Sequence, residues 1–209
     1  MIKIIGVGGC GVNVLIKLSL CNKKNKRDKK VSEIEYIALN TDKLSLDKIQ
    51  ENTIRKVLIG ETVVDGNGCD GKLDVAKQIV ELKNTQKIFY DLIKNSEKII
   101  LTGGLGGGTG TVVLPEVAKC SKDADVETVV VVPMPFTKIE SEERTKNAQQ
   151  GVDKLRKYVD KLIVVENDRI LEKFPKATFD DVFEKMEYCV ITKEIMRLLK
   201  KLQTKKTDL

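Results

Sequence analysis

The sequence predicts an α/β domain, a Rossmann-like parallel sheet with helices on both faces that ends in one long helix. Three observations predict it. Runs such as IKIIGV (2–7), KIILT (98–102) and VETVVVVP (126–133) are almost entirely apolar, as strands covered on both faces must be. Each is followed by a helical pattern, and strand, loop and helix repeated in series build parallel sheets. Two of the strands run straight into glycine-rich loops, GVGGCG (6–11) and GGLGGGTGT (103–111), and each loop opens a helix.

Taken in order, IKIIGV is the first strand, and VNVLIKLSL (12–20) carries helical spacing. NKKNKRDKK (22–30) has six basic residues in nine; it reads as a solvated loop in preference to a nucleic-acid or acidic-lipid patch. EIEYIAL (33–39) and KVLI (56–59) are the next strands, and LDVAKQIVEL (73–82) and FYDLI (89–93) are helical. After the second glycine loop, TVVLPEVAKC (111–120) continues a helix that starts near Thr109. EERTKNAQQGVDKLRKYV (142–159) is a long polar helix, and KLIVVEN (161–167) is the last strand. TFDDVFEKMEYCVITKEIMRLLKKL (178–202) reads as one helix, with Thr178 as its cap and Asp181 three residues on. At about 100° per residue, Phe179, Val182, Phe183, Met186 and Val190 share a face. Ile195, Leu198, Leu199 and Leu202 fall roughly opposite. The first stripe is expected to pack on the domain, and the second either to cover the sheet edge after a bend or to dock on another chain, the reading taken further here. No interior boundary is visible, so 1–177 is expected to be the nucleotide-binding domain and 178–209 its terminal helix and tail.

Composition narrows the chemistry. The 209 residues suit one domain or at most two small ones, and a net charge of +6 is weak evidence for an anionic partner. No apolar run approaches the roughly 20 residues of a membrane span, and no signal-peptide pattern opens the chain. The five cysteines (10, 21, 69, 120, 189) form no CxxC pair, and histidine is absent. Zinc sites, a disulfide framework and histidine-dependent catalysis therefore drop out, and a cytoplasmic location is expected.

GVGGCG contains G-x-G-x-x-G at Gly6, Gly8 and Gly11. Alone it is a weak signal, shared by many dinucleotide-binding domains. The dinucleotide form wants an acidic residue about 20 positions later, closing the second strand. Glu33 and Glu35 precede or begin that strand, and Asn40-Thr41-Asp42 follows it. The second loop changes the reading. It offers another set of helix N-terminal amides plus the hydroxyls of Thr109 and Thr111, with no side chains to obstruct an oxyanion. A mononucleotide triphosphate uses two such loops, whereas a dinucleotide oxidoreductase would leave the second idle. No Walker A sequence, G-x-x-x-x-G-K-[ST], occurs.

With both loops in place, the sequence resembles the tubulin/FtsZ superfamily of GTP-binding proteins, and FtsZ more than tubulin. GGGTGT (106–111) matches the superfamily signature, and GVGGCGVN (6–13) the first phosphate loop, with Cys10 at a common glycine position. The resemblance implies a site for GTP or GDP, with Mg²⁺ held through phosphates and water and no direct protein ligands. Gly8, Gly9, Cys10, Gly11 and Asn13 would serve the first loop. Gly104, Gly106, Gly107, Gly108, Thr109, Gly110 and Thr111 would serve the second. Asn40, Thr41 and Asp42 would lie beside phosphates and metal, and Gly66-Asn67-Gly68 would be a third glycine loop, contributing Gly68. PFTKIESEER (135–144) implies Glu140 and Arg144 near ribose and phosphates, END (166–168) implies Asn167 at the nucleoside, and DDVF (180–183) implies Phe183 stacking on guanine. Where FtsZ proteins read the guanine edge with an aspartate, this chain has Tyr188, with Glu187 beside it.

In the family an acidic loop follows the central helix, completes the neighbouring subunit's site, and leads to a second domain. Here the sequence stops at KKTDL (205–209), so that second domain is expected to be absent. The resemblance then implies filament assembly in cell division with weak GTP hydrolysis by this chain alone. The alternative is a non-polymerising nucleotide-binding regulator or capper of a full-length FtsZ filament. Either way, the last helix is the expected surface for self-association or for a full-length partner.

Overall fold

The computed structural model describes residues 1–24, 34–174, 176, 178, 181–182 and 188–205. Six strands are present among them: β1 (Ile2–Val7), β2 (Ile34–Asn40), β3 (Ile54–Leu58), β4 (Lys98–Gly103), β5 (Glu127–Met134) and β6 (Lys161–Glu166). They form one sheet in the order β3-β2-β1-β4-β5-β6, with every neighbouring pair parallel. The basic loop falls largely outside the described residues.

The apolar strands are apolar because two cores meet on them. Successive side chains of a strand point to opposite faces. Ile4, Ile100 and Val131 enter one core, and their neighbours Ile5, Leu101 and Val130 enter the other. The first core is closed by α1 (Gly8–Lys24) and α9 (Tyr188–Lys205), with Leu46 from α2 (Lys43–Asp47). The second is closed by α4 (Leu73–Glu81), α5 (Lys83–Ile93), α6 (Gly108–Asp123) and α7 (Glu142–Leu155). The expected helices on both faces are present.

Three short helices, α2, α3 (Glu61–Val64) and α8 (Asp168–Lys173), have no counterpart in the sequence reading. None is long enough to show a periodicity. The polar helix α7 ends at Leu155, four residues before its predicted end. At the start of the terminal segment, Asp181 N donates to Thr178 Oγ1 (3.3 Å) and Thr178 Oγ1 donates to Asp181 (2.7 Å), the cap its spacing predicted. Phe179, Phe183 and Met186 of the first stripe lie outside the described residues.

The second stripe requires a correction. Ile195 and Leu199 are buried within this chain, in the core between α1, α9 and the sheet, and Leu198 and Leu202 pack partly against it. The stripe lacked a visible partner in the sequence because that partner is formed by α1 and β5, far away along the chain.

Candidate functional site

The two glycine loops leave adjacent strands. β1 and β4 are paired in register, Gly6 beside Thr102 and Val7 beside Gly103. On its other side Val7 pairs with Leu39, so Asn40 at the end of β2 emerges next to the first loop. Strand order reverses between β1 and β4, and at such a switch point the loops diverge to either face and open a crevice. The helices that begin there, α1 at Gly8 and α6 at Gly108, aim unpaired N–H groups at that edge.

The glycines divide into two kinds. A Cβ on Gly11 would lie 2.7 Å from Thr102 O, one on Gly103 2.5 Å from Val7 O, and one on Gly110 would strike Gly104 O. These positions let backbone lie directly on backbone. At Gly9, by contrast, a Cβ would meet nothing within 4 Å, and at Gly107 only Arg144 Nη2 at 3.9 Å. Those two leave room in front of the amides. Gly106, with φ +96°, turns the second loop and donates its N–H to Thr111 Oγ1 (2.8 Å). Thr111 is buried and uses its hydroxyl to set the loop.

Thr109 faces the other way, and its Oγ1 pairs with Thr41 Oγ1 at 2.8 Å. Cys69 Sγ donates to the same Thr41 hydroxyl (3.6 Å). Gly68 N donates to Thr41 O (3.1 Å) and Lys43 N to Gly66 O (2.8 Å), so the Gly66–Gly68 loop is fastened to the segment after β2. Asn40 is 2% exposed; its Oδ1 accepts from Thr41 N (2.8 Å), while its Nδ2 has no hydrogen-bond partner. A buried amide left unsatisfied this way is a donor in want of an acceptor. Asp42 caps α2, accepting from Ser45 N (3.3 Å) and Ser45 Oγ (2.6 Å).

Bordering both phosphate loops at Cys10 and Gly104, a crevice of about 210 Å³ is walled further by Glu140, Arg144, Asn167 and Tyr188, with Pro133–Pro135 behind. Ser141 caps α7 by accepting from Arg144 N (3.3 Å), which sets Arg144 on the first turn. Glu140 then holds it, Oε2 to Nε at 3.0 Å, while Oε1 accepts from Phe136 N (2.8 Å). Asn167, at the end of β6, is buried, and Asn13 Nδ2 donates to Tyr188 OH (3.0 Å), joining α1 to α9. Phe183 and Glu187 lie outside the described residues. Thr137 N and Oγ1 both donate to Asp168 (3.0 and 2.5 Å), fastening the loop after β5 to α8. No motif announced that brace.

A second cavity, about 460 Å³, opens on the far side of Gly106 and Gly107, between the Asp70–Asp74 segment and α7. Sequence reasoning missed it. Its residues carry no motif, and the nearby Gly66-Asn67-Gly68 was the only pointer. Among the described residues no cluster of three or more metal-ligating side chains occurs, and no helix is long and apolar enough to cross a membrane.

Comparison with known proteins is consistent with this geometry. Residues 1–175 match the model of the tubulin/FtsZ family, GTPase domain. Cell division protein FtsZ of Haloferax mediterranei is 34% identical over 183 residues, covering 88% of this chain and 45% of that protein. The Buchnera aphidicola protein of the same name is 33% identical over 85% of this chain and 43% of its own length. Among solved structures, an empty FtsZ dimer from M. jannaschii superposes with a TM-score of 0.82 at 30% identity, over 95% of this chain and 54% of the other. The chain thus spans less than half the length of the curated relatives it matches.

Proposed function

Because the chain belongs to the tubulin/FtsZ family through its GTPase domain, we propose that it binds GTP and GDP across the carboxyl edge of its sheet. One observation carries this reading: two glycine loops, each opening a helix, leave neighbouring strands in register at the switch point of the sheet. The residues fit the ligand. Gly9 and Gly107 leave space in front of amides, and the orphaned Asn40 Nδ2 is a ready donor to an anionic oxygen.

In this reading the amides of Gly8 to Gly11 take the α- and β-phosphates, and those of Gly106 to Gly110 with Thr109 take the β- and γ-phosphates. Mg²⁺ would neutralise phosphate charge from among the phosphates and water. Asp42 is engaged in capping α2, so it steadies the neighbouring loop. Glu140 and Arg144 line the ribose side, and Asn167 and Tyr188 the base end.

The family further supports a cytoplasmic protein that takes part in filament assembly for cell division. Hydrolysis by this chain alone is expected to be weak, since the resemblance assigns the water-orienting acidic loop to a neighbouring subunit. Titration with a fluorescent guanine nucleotide tests binding, and phosphate release with and without a full-length FtsZ tests the rest. A wild-type chain that binds no guanine nucleotide ends the proposal. Inhibition of the full-length protein's assembly would favour the capping reading.

A further inference from the structure

The structure assigns to Lys72 a role that no motif announces: a phosphate-binding cation that favours the triphosphate over the diphosphate. This rests on the nucleotide-binding reading above. The second glycine loop lines two spaces in succession. Gly104 walls the base-end crevice, Gly106 and Gly107 wall the second cavity, and Arg144 borders both. A nucleotide with its base near Asn167 and Tyr188 therefore directs its terminal phosphate past Gly107 toward the second cavity. Lys72 stands there. Its backbone is laid against the first turn of α6, where a Cβ on Gly108 would sit 3.1 Å from Lys72 O and 3.3 Å from Gly71 C.

The charges in that cavity single it out. Lys77 is paired with Asp74 at 2.9 Å and Arg144 with Glu140 at 3.0 Å. Asp70 and Glu143 face the same space, so a phosphate entering it needs a cation not already matched to a carboxylate. Among the described residues, the Lys72 ammonium makes no ion pair and no hydrogen bond. Its position is also a poor choice for the fold. Lys72 is the N-cap of α4 and supplies no capping hydrogen bond. Ser, Thr, Asp or Asn would cap that helix, and a cation at the positive end of a helix dipole is unfavourable. Departures from local preference of this kind are expected at functional sites. Lacking a Walker A lysine, the chain supplies an equivalent point charge from a different loop.

The test is Lys72→Ser, with Lys72→Arg as the conservative control, measured against GDP and a non-hydrolysable GTP analogue. Serine restores a capping side chain, so the variant should melt at or above the wild-type temperature. It should bind GDP within about twofold of wild type yet lose roughly tenfold in affinity for the triphosphate. Lys72→Arg should retain the triphosphate preference. If GDP and the analogue weaken equally, or neither weakens, the assignment to Lys72 is overturned while the nucleotide site stands. If the wild-type chain binds neither nucleotide, both fall together.

Discussion

The phosphate end and the base end of the crevice are built on different principles. At the phosphate end the contacts are backbone on backbone: Gly11 against Thr102, Gly103 against Val7, Gly110 against Gly104. Little there can move, because a shift in one loop forces its neighbour. At the base end the wall is made of side chains from separated segments, tied by single bonds such as Asn13 to Tyr188 and Glu140 to Arg144. The difference teaches where tolerance lies. Substitution where backbone lies on backbone should act on folding and binding together, and at the base end on binding with little effect on folding.

The largest expected effect is at Gly110. A methyl group there runs into the Gly104 carbonyl, and backbone cannot yield as a flexible side chain would. Gly110→Ala should cost about 3 kcal/mol of stability in a denaturant titration and abolish nucleotide binding. A variant as stable as wild type would show that the loops are not locked together. Gly9→Ala should separate the two functions of these glycines. Its Cβ meets no protein atom, and alanine in a helix gains up to about 1 kcal/mol over glycine. The free protein should melt no lower than wild type, while guanine nucleotide affinity falls by at least about tenfold. If binding is unchanged, the space before Gly9 is not where the phosphates go.

The same contrast decides what could be read in the sequence. The phosphate end was legible because its chemistry is local: GVGGCG and GGLGGGTGT each announce a strand, a tight backbone approach and a helix start within a few residues. The alternation of Ile4 and Ile5 between two cores was equally implicit in an apolar run. Sequence could not show that Thr111 serves its own loop while Thr109 reaches Thr41, since adjacent threonines in one motif look alike. The brace from Thr137 to Asp168 and the burial of Ile195 and Leu199 depend on pairings between distant segments. Lys72 was passed over because a single lysine in a lysine-rich chain carries no pattern.

The smaller effects lie at the base end. Glu140→Gln removes the charge holding Arg144, but Arg144 is half exposed, so the stability change should stay under about 1 kcal/mol. Its signature should be a weaker grip on nucleotide, a few-fold at most, read by the same fluorescence titration. A loss as large as that of Gly9→Ala would mean that Arg144 does more than line the wall.

Tyr188 is the subtlest case, because its hydroxyl already accepts from Asn13 Nδ2. Guanine presents two adjacent donors, N1–H and the N2 amine, and a carboxylate can accept both where a phenol offers one oxygen. Hypoxanthine lacks the amine, so the ratio of GTP to ITP affinity isolates that single contact. Wild type should show a small ratio, and Tyr188→Asp should raise it several-fold by adding the second acceptor, at about 1 kcal/mol for a hydrogen bond of this kind. Tyr188→Phe should weaken both nucleotides alike, since it removes the tie to α1 and the single acceptor for N1–H, a donor that guanine and hypoxanthine share. If Tyr188→Asp leaves the ratio where it was, Tyr188 does not touch the base edge, and selectivity at this end must come from another wall of the crevice.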